Sequence, residues 1–284
     1  MEMIIHVRGV NMKHLYRLSA FPKTADGGNK AGVYVHADGL SEDRMQEIAK
    51  DLGYSETAFV MNSNKADFKV RFFSPVSEVD LCGHATIATF NLLRDLGVIK
   101  KGTYTQETKA GILHLDIEDS MVFMQQPSPV FDEEVAKDDL MKCFANLEFH
   151  ESLIPRVVST GLREIFLPVK NQAVLNQLIP DIERITELSN RYRTIGIHAF
   201  ALDDEVDAYG RNFAPVVGID EESATGTSNG ALGCYLYLYH SHKDYYILRQ
   251  GYSMNQPSEI ITKLLIKEDH IDSVFVGGSA NIIG

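Results

Sequence analysis

"TSNGALGCYLYLYHSH", residues 227–242, decides how this chain folds. Its pattern predicts a helix in which Ala231, Leu232, Cys234, Tyr235, Leu236 and Leu238 leave almost no polar face. A helix packed on one side keeps a polar stripe toward water, whereas one that is apolar all round is buried on every side. It is entered through a small-residue turn, "SATGTSN" (223–229), and follows two strand-like segments, "TIGIHAFALD" (194–203) and "VDAYGRNFAP" (206–215). The same succession stands earlier in the chain. "ETAFVMN" (56–62) and "FKVRFFSP" (68–75) read as strands, "LCGHAT" (81–86) as the turn, and "HATIATFNLLRDLG" (84–97) as the helix. Two such series predict an α+β protein of two similar domains, each wrapping a sheet around a central helix.

The rest of the pattern fits this plan. "HLYRLSAF" (14–21) reads as a strand, "PKTADGGNKAG" (22–32) as a turn-rich loop and "VYVHA" (33–37) as a second strand. "SEDRMQEIAKDLG" (41–53) carries an N-cap serine, acids in its first turn and a closing glycine, the start and stop signals of a helix. "GTYTQET" (102–108), "GILHLDIED" (111–119) and "MVFMQQP" (121–127) read as strands of one sheet. Pro127 and Pro129 then interrupt the pattern and set the domain boundary near 126–130. Beyond them, 133–147 reads as helix, 155–170 as strand–turn–strand, and 171–178 and 181–191 as short helices. "YYILRQGY" (245–252) reads as a strand, "PSEIITKLLIKE" (257–268) mixes helix and strand signals, and "SVFVGGSANIIG" (273–284) reads as a closing strand. Residues 1–11 read as an extension outside the fold, too short in apolar residues for a signal peptide.

Composition narrows the function. A net charge of −12 over 284 residues argues against a nucleic-acid binder, which meets phosphates with basic surface. No apolar run approaches the roughly 20 residues of a membrane helix. Cys82, Cys143 and Cys234 form no CxxC, and the ten histidines form no HExxH. Neither a disulfide framework nor a metal site is expected, and a reducing cytoplasm fits. A homodimer is the default assembly.

The turns "CGHAT" and "TGTSNG" open helices, whose first backbone N–H groups and positive dipole ends attract anions. Facing one another across an interdomain cleft, they would hold a carboxylate substrate. Neither GxxxxGK[ST] nor GxGxxG is present, so nucleotide binding is not indicated. Glu56 opens an apolar strand and suits general acid–base work, unless it is a solvated strand end. His84, at a helix N-terminus, is disfavoured as a cation and is either catalytic or a bond to the preceding loop. Glu221 and Glu222 offer a second carboxylate, or simply complement the dipole. Asp80 reads as orienting its turn, and Thr227 and Ser228 equally as N-caps or substrate ligands.

Eight segments in order carry a family resemblance: "AFPKTADGGNKAGV", "IAKDLGYSETAFV", "VRFFSPVSEVDLCGHATIAT", "STGLREIFLPVK", "GIHAF", "EESATGTSNGAL", "RQGYSMNQPSEI" and "VFVGGSA". Together they resemble the phenazine-biosynthesis (PhzF-like) family, which shares the fold of diaminopimelate epimerase and proline racemase. The resemblance implies two pseudo-symmetric domains, 12–127 and 128–271, each a barrel-like, mostly antiparallel sheet around a central helix, with the strand at 272–284 returning to the first. It implies a biosynthetic-type, cofactor-free isomerase that moves a proton within a small anionic metabolite. Glu56 matches the family's proton shuttle, His84 its histidine, and Glu222 its substrate-contacting acid. The family often has aspartate at that last position, and the extra methylene would push the carboxylate about 1.5 Å further into the cleft. Gly83 and Gly226 would offer backbone N–H groups, with Asn29, Asp80, Cys82 and Thr227 also at substrate-binding positions.

Cys82 stands where the epimerase relatives place their first thiol, but Thr225 stands where they place the second, which disfavours a two-thiol relay. Two other readings stay open. One is a racemase, epimerase or dehydratase using Cys82 with Glu56. The other is a protein that binds an anionic metabolite without turning it over.

Overall fold

Leu15–Ala20 forms a strand in which Leu15, Leu18, Ser19 and Ala20 are buried. It pairs antiparallel with Asn29–Tyr34, which pairs parallel with Glu56–Met61 across the helix Glu42–Leu52. The computed structural model describes residues 5–7 and 10–283. These form two units: one takes the described chain up to Pro22, Asn29–Gln125 and the stretch from Gly277, and the other takes Lys23–Gly28 and Gln126–Val276. Of the expected extension, residues 1–4, 8 and 9 lie outside the described residues; Ile5–Val7 and Val10–Met12 pair antiparallel as a separate ribbon.

Each unit repeats one pairing order. In the first, Glu56–Met61 pairs antiparallel with Phe68–Phe73, which pairs antiparallel with Glu78–Val79 and parallel with Gly102–Thr108; that strand forms a hairpin with Gly111–Ile117. In the second, Arg156–Ser159 and Arg163–Pro168 form the hairpin and Arg163–Pro168 pairs parallel with Ile197–Leu202. Ala208–Ala214 follows antiparallel, taking Ile219–Glu222 antiparallel and Tyr245–Gln250 parallel, and Ser258–Lys267 closes the series. The last strand, Ala280–Ile282, pairs antiparallel with Leu15–Ala20 in the first unit. This is the α+β, epimerase-like architecture expected, with few helices against a large sheet.

The two central helices are Gly83–Asp95 and Gly226–Tyr239. His84 through Leu93 are all buried. Burying polar residues there is tolerated because their donors are used: Thr86 and Thr89 hydroxyls donate to the carbonyls of Cys82 and Ala85, and the Asn91 amide donates to Ile87 and Gly278.

Two local expectations need correction, and one open reading is resolved. The loop expected over 22–32 ends early, because Asn29, Lys30 and Ala31 pair with Ala20, Ser19 and Leu18; a buried asparagine and an exposed lysine disguise the period-two pattern. Residues 133–147 are helical only over Lys137–Leu140. The acidic Val130–Glu134 segment is a strand paired with Arg156–Ser159, where Arg163 takes Asp132 and Arg156 takes Glu134, so cross-strand ion pairing overrides helix propensity. The ambiguous 257–268 stretch is strand over Ser258–Lys267.

Candidate active site

Ser41 caps the helix Glu42–Leu52 through the Arg44 N–H, and Gly53 ends it in the left-handed region at φ 66°. That sharp stop sends Tyr54 and Ser55 straight into the next strand, whose first residue is Glu56 and whose next four are buried. Glu56 therefore sits at the mouth of an apolar strand, with its side chain 18% exposed.

His84 is the second residue of the first central helix, and its side chain is 5% exposed. Its Nε2 lies 3.3 Å from Glu56 Oε2 and 3.3 Å from Ser55 Oγ, and its Nδ1 lies 3.4 Å from Cys82 Sγ. Burial holds the imidazole below its usual range, against the opposing pull of the Glu56 charge and a hydrogen bond to the Lys30 backbone. His84 is therefore neutral at neutral pH, as expected, although burial is the principal cause. A neutral imidazole donates from one nitrogen and accepts at the other. It thus links a thiol to a carboxylate.

Glu56, Cys82 and His84 each bring one ligand-type atom within 4.8 Å of the other two. The carboxylate lies by Nε2, while the sulfur lies nearer Nδ1 (3.4 Å) than Nε2 (3.9 Å). One ion bonded to a single nitrogen at about 2.0–2.3 Å takes both partners only if a side chain turns. As placed, the three groups make a thiol–imidazole–carboxylate chain.

The second unit separates the two acids of "EES". Glu221 is structural. Both its oxygens take the Arg211 guanidinium, at 2.8 and 2.9 Å, while Arg211 also donates to the carbonyls of Leu175 and Leu178. Arg211 is buried, and removing its partner strands a charge there. Glu221→Ala is expected to cost about 3 kcal/mol, read as a lower urea midpoint at unchanged slope.

Glu222 Oε2 instead accepts from the Thr225 hydroxyl at 2.6 Å. Thr225 is the N-cap residue, yet its side chain bonds Glu222 and caps nothing. The N-cap reading of Thr227 and Ser228 is therefore corrected. Ser228 Oγ accepts from the Asn212 amide at 3.1 Å in the interior, and the Thr227 carbonyl accepts from the Thr160 hydroxyl.

A Cβ on Gly83 would meet the Met124 methyl at 3.5 Å, and one on Gly226 would meet Val276 at 3.6 Å. These are ordinary van der Waals distances, and Gly226 is buried. Asn29 is buried at the start of its strand, next to Lys30. Asp80 is exposed, and its carbonyl accepts from the Ala110 N–H.

Sequence reasoning missed Ser55, Gln250 and a buried polar cluster. Gln250 anchors the turn before the second central helix. In the cluster, the Asn212 amide donates to Glu164 at 2.8 Å and lies 3.3 Å from His198 Nδ1. Burial pushes Glu164 above the usual carboxyl range and His198 down to about 3. A Cβ on Gly210 would lie 2.7 Å from His198 Nε2, so only glycine fits beside that ring. Ser55 had a signal, since it directly precedes Glu56; the others become visible only through pairing across the sheet.

Residues 18–283 match the family described as phenazine biosynthesis-like protein. The chain is 32% identical to an uncharacterized isomerase of Clostridium acetobutylicum, over 95% of this chain and 96% of that one. It is 28% identical to the trans-2,3-dihydro-3-hydroxyanthranilate isomerase of Pseudomonas chlororaphis, over 96% and 98%. Among solved structures, a Bacillus anthracis phenazine biosynthesis protein of the PhzF family superposes with a TM-score of 0.86 at 30% identity, covering 95% and 96%. A probable proline racemase of Agrobacterium radiobacter shares the fold at 12% identity, with a TM-score of 0.63 over 95% and 91%.

Proposed function

The chain thus belongs to the phenazine biosynthesis-like protein family, and from that footing we propose that it isomerises a small carboxylate-bearing metabolite by moving one proton, without a cofactor. Its relatives are named isomerases, and the chain is an isomerase. The observation that carries the finer reading is the 3.3 Å contact between Glu56 Oε2 and the Nε2 of a buried His84.

In this reading Glu56 takes a proton from a carbon next to an activating group. The C–H electron pair moves into that group, where His84 and the Gly83 N–H stabilise the charge that develops. Glu56 then returns the proton to another carbon, so the product has the formula of the substrate. Glu222, Gly226 and Thr227 are proposed as further substrate ligands, with Asn29, Asp80 and Cys82 in supporting positions. A reducing cytoplasm is the proposed location; among the described residues Cys82, Cys143 and Cys234 form no disulfide, and no helix is long and apolar enough to cross a membrane. A homodimer is the proposed assembly.

The test is solvent-isotope uptake. The chain is incubated in D₂O with trans-2,3-dihydro-3-hydroxyanthranilate and a panel of small cyclic amino and hydroxy acids, and mass spectrometry reads the recovered material. Glu56-dependent deuterium uptake into one of them is expected. Saturable binding across the panel with no deuterium would turn the reading toward a binding protein. One observation favours a second reading: Cys82 Sγ lies 3.4 Å from His84 Nδ1, so a thiol could carry the proton. Uptake that survives Glu56→Gln but is lost in Cys82→Ser would establish it.

A further inference from the structure

The turn that carries Glu222 has hydrogen bonds whose directions can be assigned one by one. The Thr225 backbone N–H can only donate, and it meets Gln250 Oε1 at 3.3 Å. That fixes which end of the Gln250 amide is oxygen. Gln250 Nε2 therefore donates, to the Glu222 carbonyl at 2.7 Å and to Thr225 Oγ1 at 3.1 Å. Asn229 agrees with this assignment: its Nδ2 donates to the Thr225 carbonyl at 2.8 Å and to Gln250 Oε1 at 2.8 Å. A hydroxyl has a single proton. Since Thr225 Oγ1 accepts from Gln250, its own proton goes to Glu222 Oε2, 2.6 Å away. Gln250 and Asn229 are fully buried, so bulk water does not compete to reverse the order.

We infer that Thr225 and Gln250 are positioning residues that hold the Glu222 carboxylate as a hydrogen-bond acceptor, so that the substrate group it meets is a donor, a hydroxyl or an ammonium on the same small carboxylate. The substrate half of this inference rests on the proposed role of Glu222 as a substrate ligand. The pairing also revises what the extra methylene does. Sequence reasoning has Glu222 reaching further than an aspartate, but one of its oxygens is tied back to its own turn.

Two variants test this: Thr225→Val, which removes the hydroxyl, and Thr225→Ser, which restores it. In carboxyl-¹³C-glutamate protein, with the Glu222 signal assigned through Glu222→Gln, the Val variant is expected to make Glu222 at least about threefold weaker as an acid, and Ser to restore the native titration. Identical titration in the Val variant and the native chain overturns the proposal whether or not any substrate is known. In the deuterium assay with trans-2,3-dihydro-3-hydroxyanthranilate as probe, Val is expected to raise KM at least about tenfold with kcat within about threefold, and Ser to reverse the change. An unchanged KM in the Val variant overturns the substrate half. Failure of the native chain to act on the probe counts against the proposed reaction, while the titration still decides the positioning role.

Discussion

Glu56→Gln is expected to slow proton transfer by about 10²–10⁴-fold, the usual contribution of a positioned acid–base group. The substitution keeps size and shape. The side chain is mostly covered, and a glutamine amide can still reach His84 Nε2 across the same 3.3 Å. What is lost is the capacity to take a proton at one carbon and give it back at another. Melting temperature should therefore stay within a few degrees of native while the rate collapses. Glu56→Asp keeps the carboxylate but withdraws it by about 1.5 Å, and should recover only part of the rate. Cys82→Ser gives the opposing arm. If Glu56 carries the proton, the serine variant stays within about tenfold of native, because the thiol then only packs beside Nδ1. A glutamine variant with near-native exchange, beside a dead serine variant, would move the chemistry to the thiol.

The features that the sequence discloses are those written in neighbouring residues. Ser41 and Gly53 announce their helix because capping is local. The two central helices are legible because burial on all sides leaves no polar stripe to interrupt the pattern. Glu56 and His84 stand out by their places at a strand start and a helix start, 28 residues apart, yet their 3.3 Å approach is a product of the fold. The family resemblance singles out Glu222, but the residues around Glu221 and Glu222 do not tell them apart, because only the sheet register brings Arg211 to one of them. The misread segments share that cause. Glu133 and Glu134 read as the start of a helix, and Arg156 and Arg163 on later strands hold them in a strand instead. Likewise Thr227 and Ser228 resemble caps, while the N-cap is Thr225, whose proton Gln250, 25 residues on, directs.

Acid is expected to destabilise the protein through His198. Its ring is fully buried and burial pushes it down to about 3, whereas in the unfolded chain a histidine titrates near 6.5. Between those values the unfolded chain binds a proton that the folded chain refuses. The contribution of His198 is therefore complete above about pH 6.5 and is lost as pH falls toward 3. The slope approaches about 1.4 kcal/mol per pH unit, and the full loss approaches about 5 kcal/mol. Glu164 works in the opposite sense. Burial raises it, so its contribution is complete below its unfolded value near 4.5 and is lost as pH rises through its folded value. Glu78, held at about 2 chiefly by hydrogen bonds from Arg71, adds loss only below about pH 4.5. His84, also lowered by burial, shares the histidine window. The informative range is thus pH 6.5 to 4.5, measured as urea midpoints at constant ionic strength. His198→Gln should be less stable at pH 7, because the Asn212 amide loses its contact with the ring nitrogen. Over the informative range, however, the variant should lose at least about half of the native pH dependence, with His84 and His150, set against Glu164, supplying the remainder. An undiminished slope in His198→Gln would show that the buried ring is not what makes the fold acid-sensitive.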